Sequence, residues 1–480
     1  MKVLFAAAEV APFSKAGGLA DVVGSLPKYL EKKAQIAIFT PLHGCINTEK
    51  YGIKELENSE LWLTFGNQGH KFRLFMCKLP GTDINVFFVH NDWYFTCFKE
   101  VYPKWLDTRY EHERYIAFSL AVMEYAKLLN FRADIIHAND WHTAMIPVYL
   151  KSNYKYDEYW AKTKTVFEIH NLAYQGVWFE DVLDFANMRK DIVYNEWGVE
   201  HFGKVNWMKG AINYSDRVVA VSPTYAKEIL TGEYGEGMDY TLRCASYKLK
   251  GIVNGIDYDV FNPKKDKTIV KNYDAKSLKN KNENKKVVCE KFGLKYDENR
   301  PLISCISRLV PQKGFDLIRD AENAMKNTEA DYVFLGNGNK DYENLLIWLS
   351  NNSTNIRAYI GYNADLANQI YAGSDFYLMP SKFEPCGLSQ LIAIRYGALP
   401  IVRATGGLED TVTGYPLNDS TGFKFWTYNG FDMMQAVNCA LEVYKDKFTF
   451  NAMQKTAMET DFSWKKSSQE YLKMYNELVK

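Results

Sequence analysis

Several short stretches of this chain combine residue types that handle anions and sugars with turns that leave backbone N–H groups free. The first is Ser14-Lys15-Ala16-Gly17-Gly18-Leu19-Ala20-Asp21, at the exit of an apolar run and the entrance of a helical pattern. Paired glycines at such a turn let the backbone approach a ligand closely, and the helix N-terminus offers N–H groups to an anion. Lys15 adds a point charge suited to phosphate. Asp21 is placed to cap the helix or to bind a sugar hydroxyl. The stretch is not G-x-G-x-x-G, so a nicotinamide site lacks its fingerprint. Further on, Asp140-Trp141-His142 leaves one strand pattern and His170-Asn171 leaves another. A carboxylate beside an aromatic plane can hold a sugar by its edge and face; helix capping by Asp140 is the plainer alternative. His137 and His142 have no obvious third partner for zinc, and their spacing across a strand end does not put both on one face.

The second half supplies cations instead of histidines, since all 8 histidines precede residue 202. Arg308 and Lys313 flank a turn after a strand pattern; two cations so placed are costly together unless an anion joins them, and a diphosphate is the natural partner. Glu384-Pro385-Cys386-Gly387-Leu388 opens the next strand-to-helix turn, and Thr405-Gly406-Gly407 repeats a glycine pair at the one after. Each motif stands where an open α/β sheet binds ligands, at the carboxyl ends of its strands.

Elements that would position these residues are legible. Strand patterns fall at 3–7, 35–39, 84–90, 134–137, 165–169 and 217–221, then at 302–306, 332–335, 356–360, 376–379 and 399–402, with helical periodicity between, as at 113–129 and 365–372. Alternating strands and helices predict parallel sheets covered on both faces, and two such series predict two doubly wound domains. The Lys- and Asn-dominated stretch 263–286 reads as a solvated surface segment beside the junction. With 480 residues, 47% apolar and 24% charged, the chain has ample core. Lys+Arg and Asp+Glu are both 58, so no global electrostatic grip on nucleic acid or anionic membrane is expected. No apolar run suggests a transmembrane helix, Glu9 interrupts the signal-like start, and 8 dispersed cysteines fit free thiols in a cytoplasm.

The ordered set KAGGLADVVGSLP (15–27), HANDWHTAMIP (137–147), EIHNLAYQG (168–176), VNGIDYDVFNP (253–263), SRLVPQKG (307–314), SKFEPCGLSQL (381–391) and RATGGLEDTV (403–412) closely resembles bacterial glycogen synthases and plant starch synthases. The resemblance covers nearly the whole chain. It implies the GT-B architecture, two Rossmann-like domains facing across a deep cleft: 1–255, joined by a final helix at 462–480, and 256–461. It implies a cytoplasmic enzyme that moves glucose from ADP-glucose to the non-reducing end of a glycogen or α-1,4-glucan primer, with retention and without metal or pyridoxal phosphate.

The roles carried over are implied in the same way. His170, Arg308, Lys313 and Glu384 match the catalytic positions. Lys15, Gly17, Gly18, Asp21, Asn254, Cys386, Gly387, Leu388, Thr405, Gly406 and Gly407 match donor-binding positions. Asp140, Trp141, Asn171 and Tyr94 match the acceptor side. The family scheme is front-face displacement, in which the leaving diphosphate takes the proton of the acceptor hydroxyl. Two departures stand out: Ile392 occupies the position where related transferases carry a ribose-binding Glu, and 91–112, with Lys104, Arg109 and His112, fits the family pattern poorly. The alternatives are a same-fold enzyme using UDP-glucose or a small acceptor, and a silent glucan-binding protein. Oligomeric state is not legible.

Overall fold

The computed structural model describes residues 1–103 and 105–480, so Lys104 lies outside the described residues. The chain divides into two compact units, Met1–Asn254 with Trp464–Lys480, and Gly255–Ser463.

In the first unit, parallel strands lie in the order Leu249–Gly251, Arg217–Ala220, Lys164–Ile169, Ile135–Asn139, Lys2–Ala6, Gln35–Pro41 and Asn85–His90. An antiparallel edge follows, Gln68–Lys78 with Lys54–Glu55 and Leu61–Phe65. Central strands such as Ile135–Asn139 are buried throughout, as a sheet covered on both faces requires. From Lys2–Ala6 the chain first builds outward to one side and then returns to build on the other. The resulting topological switch lies between Lys2–Ala6 and Ile135–Asn139, and a crevice opens there at the carboxyl ends. The helix Trp464–Leu478 packs into this unit's core through Trp464, Tyr471, Met474 and Tyr475, a spacing that keeps one helical face apolar.

The second unit is a parallel sheet in the order Ile356–Ile360, Asp331–Gly336, Leu302–Ile306, Phe376–Met379, Leu399–Arg403 and Phe423–Phe425. Its switch lies between Leu302–Ile306 and Phe376–Met379. The two strands' exits are the turns that carry Arg308, Lys313 and Glu384.

The Lys/Asn-rich stretch corrects the sequence reading. The helix Lys281–Lys291 begins inside it, and Lys281, Asn284 and Lys285 are all buried. The Lys281 ammonium donates to the carbonyls of Tyr371, Ala372 and Tyr396 at 3.1, 2.8 and 2.9 Å, closing the ends of the helices Ala364–Gly373 and Ser389–Arg395. Lys285 pairs with Asp375 at 2.8 Å. The segment's other lysines are exposed, as composition led one to expect; a long aliphatic stem and carbonyl acceptors let Lys281 serve as an internal cap.

Candidate functional site

The glycine turn of the first unit is held by a residue that the motif reading passed over. Glu9 is only 2% exposed, and its carboxylate accepts the N–H groups of Ala16 and Gly17, the latter at 3.1 Å. The anion position of the turn is thus filled by the protein's own carboxylate. A Cβ on Gly17 would sit 3.3 Å from Glu9 Oε1, so glycine suits that close approach. Burial pushes the Glu9 carboxyl up to about 7; Asp21 and Asp140 add to the rise, and the two amides oppose it. Lys15 is exposed and pairs with Asp21 at 2.7 Å. Burial lifts Asp21 above the usual carboxylate range, and Lys15 draws it back.

At the neighbouring strand exit, Asp140 holds φ +55°, a conformation uncommon for a residue with a side chain. Its carboxylate makes no cap to the helical turn that follows, which removes the capping alternative. Instead it reaches to the next strand exit and accepts from the backbone N–H groups of His170 and Asn171 at 2.8 and 3.3 Å. Burial raises the Asp140 carboxyl, with His170 and these two amides pulling the other way. Asp140 therefore ties two strand tips together. The His170 ring meets Asn139 Oδ1 at 3.0 Å through Nε2.

Beneath His170 lies Glu168, fully buried within a strand that is otherwise apolar at 166, 167 and 169. Its Oε2 lies 2.7 Å from His137 Nε2 and its Oε1 accepts from the Tyr471 hydroxyl at 3.0 Å. Burial opposes the charge on Glu168, but His170, His137 and the Tyr471 hydroxyl outweigh it and hold the carboxyl below its ordinary range. Neither role was singled out from sequence; a carboxylate inside an apolar strand pattern is the signal that would have found Glu168, whereas Glu9 lies beyond the end of the strand Lys2–Ala6.

Two residues expected on the acceptor side are buried. Trp141 is 6% exposed, with His112 and Tyr115 rings each 5.2 Å away and Gly176 packed so closely that a Cβ there would approach its ring to 2.3 Å. Tyr94 is also buried, in a π-helical turn spanning Asp92–Thr96, and its hydroxyl points to His70 at 3.4 Å. His112 is likewise buried and meets Trp207 Nε1, while Arg109 pairs with Glu113 and Asp181, so neither adds free positive charge to that segment. Asn171 is half-buried and accepts from Ala173 N at 3.1 Å. Asn254 is buried, and its Oδ1 has no hydrogen-bond partner among the described residues.

In the second unit, Lys313 and Glu384 come together from adjacent strand exits. Lys313 Nζ lies 2.5 Å from Glu384 Oε2, which also accepts from Ser381 Oγ at 3.0 Å. This corrects the picture of two cations awaiting one anion, because Lys313 already has its counter-charge. Arg308 is exposed and has no ion pair among the described residues. Gly314, with φ +76°, passes so close to Pro380 O that a Cβ would lie 2.0 Å from it. Gly407 donates its N–H to Glu384 O at 3.0 Å, and a Cβ there would lie 2.1 Å from Cys386 O. The Thr405-Gly406-Gly407 turn and the Glu384–Leu388 turn are therefore in direct backbone contact, with Gly387 in the left-handed region. Among the described residues, no three His, Cys, Asp or Glu side chains are grouped to hold a metal ion, and no helix is long and apolar enough to cross a membrane.

Comparison with known proteins accounts for both units. The family model described as "Starch synthase catalytic domain" matches residues 2–244, and "Glycosyl transferases group 1" matches 290–449. A glycogen synthase of Thermotoga maritima is 43% identical over 100% of this chain and 99% of its own. The chain belongs to the glycogen and starch synthase family. It is a glucosyltransferase by that membership, with the GT-B fold. The glycogen synthase of Clostridioides difficile is 42% identical across 100% of both chains. Among solved structures, the catalytic domain of starch synthase IV from Arabidopsis thaliana, bound to ADP and acarbose, superposes with a TM-score of 0.92 at 32% identity, covering 100% of this chain and 99% of that one. Sucrose-phosphate synthase from Thermosynechococcus elongatus, 14% identical with a TM-score of 0.62 over 99% and 98% of the two chains, shares the fold alone.

Proposed function

We propose that this synthase-family protein transfers glucose from ADP-glucose to the non-reducing 4-hydroxyl of an α-1,4-glucan, with retention and without a metal ion. The observation that carries the reading is the Lys313–Glu384 pair, set at the switch point of the second unit and braced by Ser381 and Gly407. A carboxylate so engaged suits holding a sugar hydroxyl better than attacking the anomeric carbon. The full-length likeness to a starch synthase solved with ADP and acarbose supports a nucleotide-sugar donor and a glucan acceptor.

Retention without a carboxylate nucleophile calls for front-face displacement. The bond from C1 to the diphosphate breaks as the bond from C1 to the acceptor oxygen forms on the same face. The acceptor proton passes to the departing phosphate oxygen. Arg308, exposed and without an ion pair among the described residues, and Lys313, shifting part of its charge from Glu384, stabilise the leaving diphosphate. In this reading Lys15 and Gly18 meet the donor, the Ala16 and Gly17 amides being engaged by Glu9, and His170 lies beside the reacting centre.

The test is diphosphate release from ADP-glucose or UDP-glucose with glycogen, in EDTA. Release from ADP-glucose alone, undiminished by EDTA and with α-linked product, is the expected result. Preference for UDP-glucose overturns the donor assignment; loss of activity in EDTA that added metal restores overturns metal independence. Diphosphate release without glucan extension overturns the acceptor.

A further inference from the structure

The hydrogen bonds of Asn139 settle which atom His170 Nε2 faces. Asn139 Nδ2 donates to the carbonyls of Ala6 and His137 at 3.0 and 3.3 Å, so its Oδ1 is the face turned toward His170 Nε2. An amide oxygen only accepts, so His170 Nε2 carries the hydrogen. Glu168 Oε1 stands 3.6 Å from the same Nε2. Its other oxygen, Oε2, lies 2.7 Å from His137 Nε2, and the Tyr475 hydroxyl meets His137 Nδ1 at 2.5 Å. Tyr471 supplies the remaining donor to Glu168. The groups facing Glu168 are thus His137, His170, Tyr471 and, through His137, Tyr475, with Asp140 beyond His170.

A fully buried carboxylate in an apolar strand costs several kcal/mol unless paired, so a purely structural position would favour another apolar residue. Here the Tyr471 hydroxyl and two imidazoles surround it, and the Tyr475 hydroxyl backs His137 from the same Trp464–Leu478 helix. We infer that Glu168 is a positioning residue for His170, and that Tyr471 and Tyr475 complete a buried network that locks the His170 ring as its Nε2–H tautomer. The final helix is then a working part of the site, 300 residues and more from the histidine in sequence. The effect on rate rests on the proposed transfer reaction; the tautomer does not.

The experiment compares wild type, Glu168→Gln, Glu168→Asp, Tyr471→Phe and Tyr475→Phe in the full chain labelled with 15N-histidine. Wild type should show a slowly exchanging His170 Nε2–H proton without any substrate. Glu168→Gln should shift that resonance, speed its exchange, and lower kcat by about 10- to 100-fold with the donor KM within about threefold, the scale of lost carboxylate–histidine support. Tyr471→Phe, which removes a single oxygen, should lower kcat by a smaller factor and move the acid limb of activity to higher pH, because Glu168 loses a donor. Glu168→Asp should recover part of kcat. Unchanged Nε2–H exchange in Glu168→Gln and Tyr471→Phe overturns the inference, as does kcat within twofold of wild type in both. Activity falling only with the unfolded fraction assigns Glu168 a structural role and also overturns it. A wild type without glucosyl transfer refutes the proposed reaction instead, and the exchange measurement still decides the positioning.

Discussion

Glu9→Gln is the perturbation with the clearest energetic signature. The carboxyl moves from an ordinary 4.5 to about 7 in the folded chain, mainly through burial. Each factor of ten in proton affinity is worth about 1.4 kcal/mol, so the neutral form is favoured by about 3 kcal/mol in the folded protein. The raised value sets the sign. The stabilisation is fully present below pH 4.5 and is lost as pH rises through about 7. Glutamine keeps an oxygen for the Ala16 and Gly17 amides and has no charge to bury. Wild type and variant should therefore have similar thermal stability near pH 4.5 and diverge as pH rises, with the variant ahead by about 3 kcal/mol at pH 8, or on the order of 5–10 °C in Tm. The assay is thermal unfolding of both full chains between pH 4.5 and 8.5. Titrations shared by the two, Asp21 and Asp140 included, largely cancel in the difference. Parallel Tm curves across that range would falsify the burial of an ionisable Glu9.

Other changes probe the second unit. Gly407→Ala forces a methyl to within 2.1 Å of Cys386 O, with backbone on both sides, and should cost about 2 kcal/mol while displacing the Glu384 turn and raising donor KM; steady-state kinetics and urea unfolding check both. Lys313→Ala should cut turnover by about 10²- to 10³-fold, as loss of one preorganised charge does, and a change below tenfold would remove it from leaving-group stabilisation. Lys281→Met leaves three carbonyls without their shared donor and should destabilise by about 2–3 kcal/mol. Equal stability in calorimetry would show those carbonyls satisfied otherwise.

The parallel core was legible almost residue for residue: the expected strands 302–306, 356–360 and 376–379 are Leu302–Ile306, Ile356–Ile360 and Phe376–Met379. Such strands are buried on both faces and read as unbroken apolar runs. The antiparallel pair Leu61–Phe65 and Gln68–Lys78 escaped because its residues alternate between covered and exposed in a stretch rich in charge. The three short strands Val177–Trp178, Glu200–His201 and Lys204–Asn206 were too brief for periodicity to register. At the site, strand exits and glycine turns stood out, since they depend on local spacing. What the side chains meet did not. Trp141 looked like an open sugar platform until Gly176 proved to cover it. Lys313 looked unbalanced until Glu384, 71 residues on, proved to pair with it. Tertiary partners at such separations leave no local pattern.

The placement of the Trp464–Leu478 helix has a consequence for biosynthesis. The first unit's core lacks Trp464, Tyr471, Met474 and Tyr475 until the whole of Gly255–Ser463 has been translated. At 5–20 residues per second, the ribosome spends roughly 10–40 s on that stretch. Throughout that interval the nascent first unit presents an uncovered apolar face, and Glu168 and His137 wait without their tyrosine partners. The second unit, continuous in sequence, can finish folding first. A message cut short anywhere before codon 464 would thus release a product whose first unit never closes, a natural substrate for holdase chaperones and proteases.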